Sequence, residues 1–210
     1  MASWQQAAKD YTHAEELHIR ISEVMQKGQV EFSQLDAVAV GKGPGSFTGL
    51  RIGVSSAKGL AYGLDIPLIS IESLDLMITD VEVPDSTVVI SMIDARRLEA
   101  YAKVFIREND AFSELESTTN IILNTEVFTD LLDRYENHSI CFVGDAALKT
   151  REFLTSHERF NRFSFLPDNY PDTRYIGDKI EASFKQKRFE NTITFEPFYL
   201  KDFRITPKRG

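Results

Sequence analysis

The sequence predicts an α/β protein in two subdomains. A strand–loop–helix–strand run spans residues 35–71, a β-rich texture begins after Pro84, and glycines crowd into the loop and helix of the first run. Strand, helix and strand in succession point to a parallel layer with a crossover helix. The boundary falls at 83–86. It gives an N-terminal α/β subdomain over 1–84 and a C-terminal α/β subdomain over 85–210 that ends in an extended tail.

Taken in order, Thr12-His13-Ala14-Glu15 has the T-x-x-E form of a capping box. Leu17, Ile21, Val24 and Met25 follow as one apolar stripe, and Gly28 suits the C-terminal stop. Leu35 to Val40 is a short apolar strand that feeds the glycine loop. A second helix runs from about Thr48 to Tyr62, Pro67 to Ile71 is a strand, and Glu72 to Ile78 is a further helix. Thr87 to Ile93 and Glu99 to Ile106 are strands flanking a turn at Asp94-Ala95-Arg96-Arg97. Ile140 to Val143 reads as a buried strand. Gly144-Asp145 follows it, with Asp145 expected to cap a helix that ends at Leu154. Ile176, Ile180 and Phe184 mark a helix of about 15 residues, Thr192 to Leu200 is extended, and Lys201 to Gly210 is a tail.

Composition narrows the function. The 210 residues are 42% hydrophobic and 27% charged, as expected of a globular chain. Lys and Arg number 24 against 32 Asp and Glu, for a net charge of −8. A surface that acidic is a poor stand-alone binder of nucleic acid, because cationic side chains supply most of that affinity. Cys141 is the only cysteine, which excludes an internal disulfide and a cysteine-based zinc site. No apolar run is long enough to span a membrane, and Met1 to Tyr11 carries no basic-then-apolar leader pattern. The expected location is the cytoplasm.

Seven of the eleven glycines lie between Gly41 and Gly63. Gly41 to Gly53 resembles a phosphate cradle, since such loops aim N–H groups and a helix N-terminus at an anion. The Walker A spacing fails because Ser46 rather than Lys follows Gly45. The dinucleotide fingerprint lacks a glycine at position 46, and the nucleophile-elbow spacing around Ser46 fails on Pro44 and Thr48. Gly43, Gly45, Ser46 and Thr48 are therefore phosphate-loop or helix-cap candidates, and spacing alone favours the cap.

Along the following helix, Gly49, Gly53, Ala57 and Ala61 recur every four residues. Two interior glycines, Gly53 and Gly59, cost about 2 kcal/mol against alanine. Such a ridge lets a neighbour approach closely, either the sheet beneath or a helix of another chain. On the second reading the interface comprises Leu17, Ile21, Val24, Gly49, Gly53, Ala57 and Ala61.

Catalytic groups are sparse. His13 and His18 lie about 140° apart around a helix, which is wrong for two metal ligands on one face, and there is no H-E-x-x-H. His138 and His157 complete the set. No metal site is expected. Asp94 with Glu99, and Asp145, are the best carboxylates for acid–base or nucleotide chemistry. Cys141 sits in an apolar run and reads as core. Lys201, Arg204, Lys208 and Arg209 make the tail basic; it reads as solvated, with tRNA phosphates inside a complex as the sharper alternative.

The stretch Gly41-Lys-Gly-Pro-Gly-Ser-Phe-Thr-Gly-Leu-Arg-Ile-Gly-Val-Ser-Ser-Ala-Lys-Gly-Leu-Ala61, followed by Ile66-Pro-Leu-Ile-Ser-Ile-Glu-Ser-Leu74, closely resembles the bacterial TsaB (YeaZ) family. Tyr11 to Glu15, Ile93 to Arg97 with Glu99 and Tyr101, and Glu196-Pro-Phe-Tyr-Leu200 are similar to further segments of that family. The matches run in order through nearly the whole chain.

This resemblance implies an actin-like/Hsp70-like (ASKHA) fold with two subdomains. It also implies an accessory, non-catalytic subunit in the synthesis of threonylcarbamoyladenosine beside the tRNA anticodon. Such a subunit pairs with a catalytic TsaD-like paralogue through its two N-terminal helices and works with a TsaE-like ATPase. Glycoprotease-like or peptidase M22-like labels attach to the family through TsaD. A homodimer when alone, tRNA contact only through the complex, no required cofactor with at most weak nucleotide binding, and no membrane association complete the expectation. The family's opening strand–turn–strand is missing before the first helix, so the first subdomain reads as N-terminally shortened and nucleotide binding is the property most affected. The rival reading is a nucleotide-dependent ASKHA enzyme or a metalloprotease-like hydrolase.

Overall fold

The computed structural model describes residues 2–5 and 13–200. Its first layer is built around the predicted crossover. Strands β1 (Val38–Gly43) and β2 (Leu68–Glu72) pair in parallel, with Val38 opposite Leu68. Helix α2 (Phe47–Leu64) connects them and buries Val54, Ala57 and Ala61. The two alanines pack with Leu68 beside Val38, Val40 and Phe195, so small side chains let the helix settle low on a two-stranded sheet.

β1 starts three residues later than predicted. A 3₁₀ turn at Phe32–Gln34 takes up the preceding chain, and the Leu35 N–H closes it on the Phe32 carbonyl. The strand then continues into the glycines, with an irregularity between Gly41 and Gly43. Helix α1 (His13–Gly28) stops where Gly28 suggested, yet the left-handed residue is Gln29, with φ of 53°. α1 lies against α2, where His18 Nε2 stands 3.2 Å from Ser56 Oγ. The helix expected over 72–78 shrinks to the single turn α3 (Ser73–Leu76), followed by turns.

The second layer is a five-stranded sheet in the order β5-β4-β3-β6-β7. β3 (Val88–Asp94) and β4 (Glu99–Glu108) form the predicted hairpin, and β6 (Ile140–Val143) joins β3 in parallel. β3 and β6 are buried on both faces, which is why they read as continuous apolar runs. Helices α4 (Glu126–Arg134) and α5 (Ala147–Leu154) cover one face through Phe128, Leu131, Leu132 and Leu154. Leu74, Met77 and Ile78 cover the other. Three elements escaped the sequence reading: β5 (Ala111–Ile122), α4 and β7 (Phe163–Leu166).

After β7 the chain returns to the first layer. Helix α6 (Gly177–Lys185) has nine residues rather than about 15. Glu190 then bridges to Leu68, its N–H on the Leu68 carbonyl at 2.8 Å. Residues 192–194 turn, and 195–199 run on without joining a sheet ladder. They are pinned by Phe198 N–H to the Lys42 carbonyl at 2.7 Å and by Lys58 Nζ to the Ile193 and Phe195 carbonyls. The structure thus places this terminal segment on the first sheet, while the chain passes between layers at 83–86. Thr12 and the basic residues Lys201, Arg204, Lys208 and Arg209 lie outside the described residues.

Lys103 joins the two layers. Its ammonium, on β4 and almost wholly buried, sits 3.3 Å from Glu72 at the end of β2 and 3.2 Å from Asp75 on α3. Glu114 on β5 lies 3.0 Å away. Burial opposes a charge there, but the surrounding carboxylates outweigh it and raise the Lys103 pKa.

Candidate functional site

The glycine loop folds as a strand exit followed by a capped helix. Ser46 is the N-cap of α2, its hydroxyl oxygen accepting the Gly49 N–H at 3.4 Å. Thr48 lies inside the helix and does not cap it. Gly43 has φ of +105°, and a Cβ there would stand 2.8 Å from Leu50 Cδ1 and 3.2 Å from the Phe198 carbonyl. Gly45 faces open space. So Gly43 serves a tight crossing of its own chain, with Ser46 supplying the cap.

The loop nevertheless borders a cleft between the two layers. Pro44, Gly45, Ser46 and Gly49 form one lip, and Ile93, Asp145 and residues 169–171 form the other, around about 260 Å³. Asn169 is tied to Asp80 at 3.2 Å, which fixes the second lip to the turn after α3. Among the described residues no lysine or arginine lines this space. Its acidic group, Asp145, is pushed up in pKa chiefly by burial. A carboxylate in the cleft opposes a phosphate, and the volume falls below the ~300–1,000 Å³ common for small-molecule pockets.

The carboxylates are bound into the fold. Asp145 was expected to cap the helix that follows; α5 instead has Ala146 as N-cap with no side-chain cap bond. The Asp145 carboxylate accepts the Asp94 N–H at 2.7 Å, fastening the end of β3 to the β6–α5 turn. Asp94 in turn accepts the Arg96 N–H at 2.6 Å and pairs with Lys149. Glu99 accepts from Asn120 Nδ2 at 2.8 Å. Asp94 and Glu99 therefore bracket the β3–β4 turn and brace it.

The histidines are similarly engaged. His138 Nδ1 lies 2.9 Å from the Ser86 carbonyl, and His157 Nδ1 accepts the Arg159 N–H at 3.1 Å. With His18 on Ser56, each of the three histidines whose side chains are described has its own local partner. Among the described residues no three His, Cys, Asp or Glu side chains converge to hold a metal ion. Cys141 is buried in β6, and burial raises its thiol pKa.

The small-residue ridge is divided by the fold. Ala57 and Ala61 belong to the core under α2 and are closed to another chain, which corrects their assignment to an interface. A Cβ on Gly53, Gly59 or Gly63 meets nothing within 4 Å. The open face of α2 thus runs through Ser55, Gly59 and Gly63 to Tyr62, which is 76% exposed, with Gly53 half-buried on its flank. A helix turns about 100° per residue, so a four-residue repeat drifts around the axis and carries the ridge from surface to core. On α1, Leu17, Ile21 and Val24 are half-buried and Ile19 is exposed. Sequence reasoning missed Gly59 and Gly63 as the open glycines, although their four-residue spacing was visible.

Two α/β layers meeting at a cleft, with a helix N-terminus on one lip and a strand-end aspartate on the other, define an ASKHA-type fold. The family model described as TsaD, tRNA N6-adenosine threonylcarbamoyltransferase, matches residues 6–207. The chain belongs to this family, on its TsaB/YeaZ side. It is 28% identical over 195 residues to the tRNA threonylcarbamoyladenosine biosynthesis protein TsaB of Haemophilus influenzae, covering 91% of this chain and 80% of that one. The Escherichia coli TsaB is 31% identical over 111 residues, 52% of this chain and 48% of that protein. YeaZ from Pseudomonas aeruginosa superposes with a TM-score of 0.72 at 20% identity, covering 90% of this chain and 84% of its own. No helix among the described residues is long and apolar enough to cross a membrane.

Proposed function

We propose that this chain is a non-catalytic accessory subunit in the synthesis of threonylcarbamoyladenosine in tRNA. In this reading it pairs with a TsaD-like catalytic subunit and acts beside a TsaE-like ATPase. Similarity to TsaB over most of the chain supports the pathway. One observation carries the non-catalytic part: the best acid–base candidates, Asp94 and Asp145, are joined to each other's loops and to Lys149. Groups held that way position a turn. They do not present a free base to a substrate.

The partner surface in this proposal is the open face of α2 with the adjoining part of α1. Gly59 and Gly63 admit a helix backbone closely, Gly53 stands on the flank of that face, and Leu17, Ile21 and Val24 are the half-buried apolar groups of α1 beside it. Without the catalytic subunit, the same face pairs two copies of the chain about a two-fold axis. With a net charge of −8 the chain meets tRNA through the complex. Calorimetry with ATP, ADP and AMP, beside turnover assays for ATP hydrolysis and peptide cleavage, tests the reading. It expects no turnover and no tight binding. Magnesium-dependent binding below about 10 μM, where binding is worth roughly 7 kcal/mol, would instead favour the nucleotide-dependent enzyme.

A further inference from the structure

On the accessory-subunit reading above, we propose that Arg96 and Arg97, in the β3–β4 turn, are this chain's own contact with the phosphodiester backbone of tRNA. Both residues hold left-handed backbone, with φ of 69° and 52°. The Glu99 N–H closes on the Arg96 carbonyl at 3.1 Å. Arg97 therefore takes the first central position of a tight turn, where a positive φ calls for glycine. The β4–β5 hairpin has the same pair of left-handed residues, with φ of 49° and 62°, and fills it with Asn109 and Asp110. Short polar side chains of that kind tolerate the region. Folding alone would select the same chemistry at the β3–β4 turn. Two arginines kept there at a cost in strain mark side chains retained for contact with something else.

The surrounding groups hold the turn and leave its two guanidinium groups free. The Asp94 carboxylate accepts the Arg96 N–H and the Lys149 ammonium, and Lys149 also donates to the Glu99 carbonyl. The Asp145 carboxylate takes the Asp94 N–H, and the Glu99 carboxylate takes Asn120 Nδ2. The carboxylates around the turn are thus committed within the fold, and so is the one ammonium. Arg96 and Arg97 are both exposed, and among the described residues neither side chain has a partner. Arg20, Arg107, Arg134, Arg159 and Arg174 each pair with a carboxylate. In a chain with 32 acidic and 24 basic residues, two adjacent unpaired arginines are a directed charge. Their planar forks suit phosphate oxygens, which they bind bidentately. The polyanion of the proposed pathway is tRNA. Two phosphate contacts give little affinity alone against a net charge of −8, so the turn adds to what a catalytic partner supplies.

The test measures binding of unmodified tRNA, across a salt series, to the complex of this chain with a TsaD-like subunit. Arg96→Asn combined with Arg97→Gly relaxes the turn. This double variant should melt at or above the parent's temperature and capture the catalytic subunit as the parent does. Its complex should bind tRNA at least tenfold more weakly, with a slope of log affinity on log salt shallower by about 1.4–1.8 for two lost phosphate contacts. Arg96→Lys combined with Arg97→Lys should keep the parent's slope and lose part of the affinity, because an ammonium lacks the fork. Unchanged affinity and slope in the first double variant overturn the turn's role and leave the accessory-subunit reading standing. Lost capture of the catalytic subunit also overturns it, since the arginines then meet an acidic protein surface. A melting temperature below the parent's does the same, since the arginines are then structural. A parent complex that binds no tRNA overturns the accessory-subunit reading together with the proposal.

Discussion

At the residue scale, three glycines of similar appearance have different roles. Gly144, with φ of +108°, leaves no room for a Cβ between the Met92 carbonyl and the Met77 methyl. Gly43 shares the left-handed backbone but faces partly a flexible leucine, Leu50. Gly45 faces open space with no such backbone. A positive φ on a residue with a side chain costs about 1–3 kcal/mol, and overlap with backbone adds to it. Gly144→Ala should therefore lose the most stability and Gly43→Ala about 1–3 kcal/mol, with Gly45→Ala within about 0.5 kcal/mol of the parent. Thermal or urea unfolding ranks them. Equal losses at all three would remove the steric account of the loop. Spacing located this loop and its Ser46 cap, but no local signal told that Asp145 would leave its helix and hold the Asp94 N–H. That bond joins residues 51 positions apart.

At the element scale, the sequence revealed what it repeats and concealed what it pairs. The apolar runs of β3 and β6 and the small residues of α2 were legible because each carries its own pattern. β5 was hidden because it is a polar edge strand: Glu114 and Glu116 look solvated in sequence, yet one meets Lys103 and the other Arg134 and Tyr135. α6 came out shorter than its apolar spacing implied, since the chain must turn at Gln186 to bring Glu190 back to β2. For α2 the prediction separates surface from core. Gly53→Leu and Gly59→Leu should leave the fold intact and abolish both self-association and capture of a TsaD-like subunit. Ala61→Leu should instead overpack the core by about 1–3 kcal/mol. Sedimentation and pull-down, read beside melting temperature, distinguish the two. Loss of folding in the glycine variants with association unchanged would place the interface elsewhere.

At the scale of the whole molecule, Lys103 bridges the two sheets at Glu72, whose carboxylate also accepts the Thr118 hydroxyl of β5. The Ser117 hydroxyl and then Lys103 hold Glu114 below its ordinary pKa of 4.5. A lowered carboxylate pKa gives stability that is present above 4.5 and lost on acidification; the raised pKa of Lys103 gives stability present below 10.5 and lost as alkali removes the proton. The chain should be most stable between these limits. Lys103→Met leaves Glu72, Asp75 and Glu114 facing one another. It should cost about 2–3 kcal/mol at pH 7, less than a fully buried pair because Glu114 is partly exposed. The slope should then reverse: with only Lys42, 3.8 Å from Glu72, left as a cation beside them, the crowded carboxylates bind protons more tightly when folded, so the variant gains stability as pH falls from 7 to about 5. Melting curves across that range decide it, and a variant with the parent's slope would show that the cluster is already screened by solvent.

We propose that this chain supports tRNA modification by binding a catalytic partner and performs no chemistry itself. The direct measurement is reconstituted threonylcarbamoyladenosine formation on unmodified tRNA with a TsaD-like subunit and a TsaE-like ATPase, each assayed with and without this chain. The account predicts that product requires the chain, that Gly59→Leu removes it, and that a double Asp94→Asn and Asp145→Asn variant which remains folded keeps at least half of it. Product lost in the folded double variant while partner capture stays intact would contradict the account and make those aspartates part of a working active site.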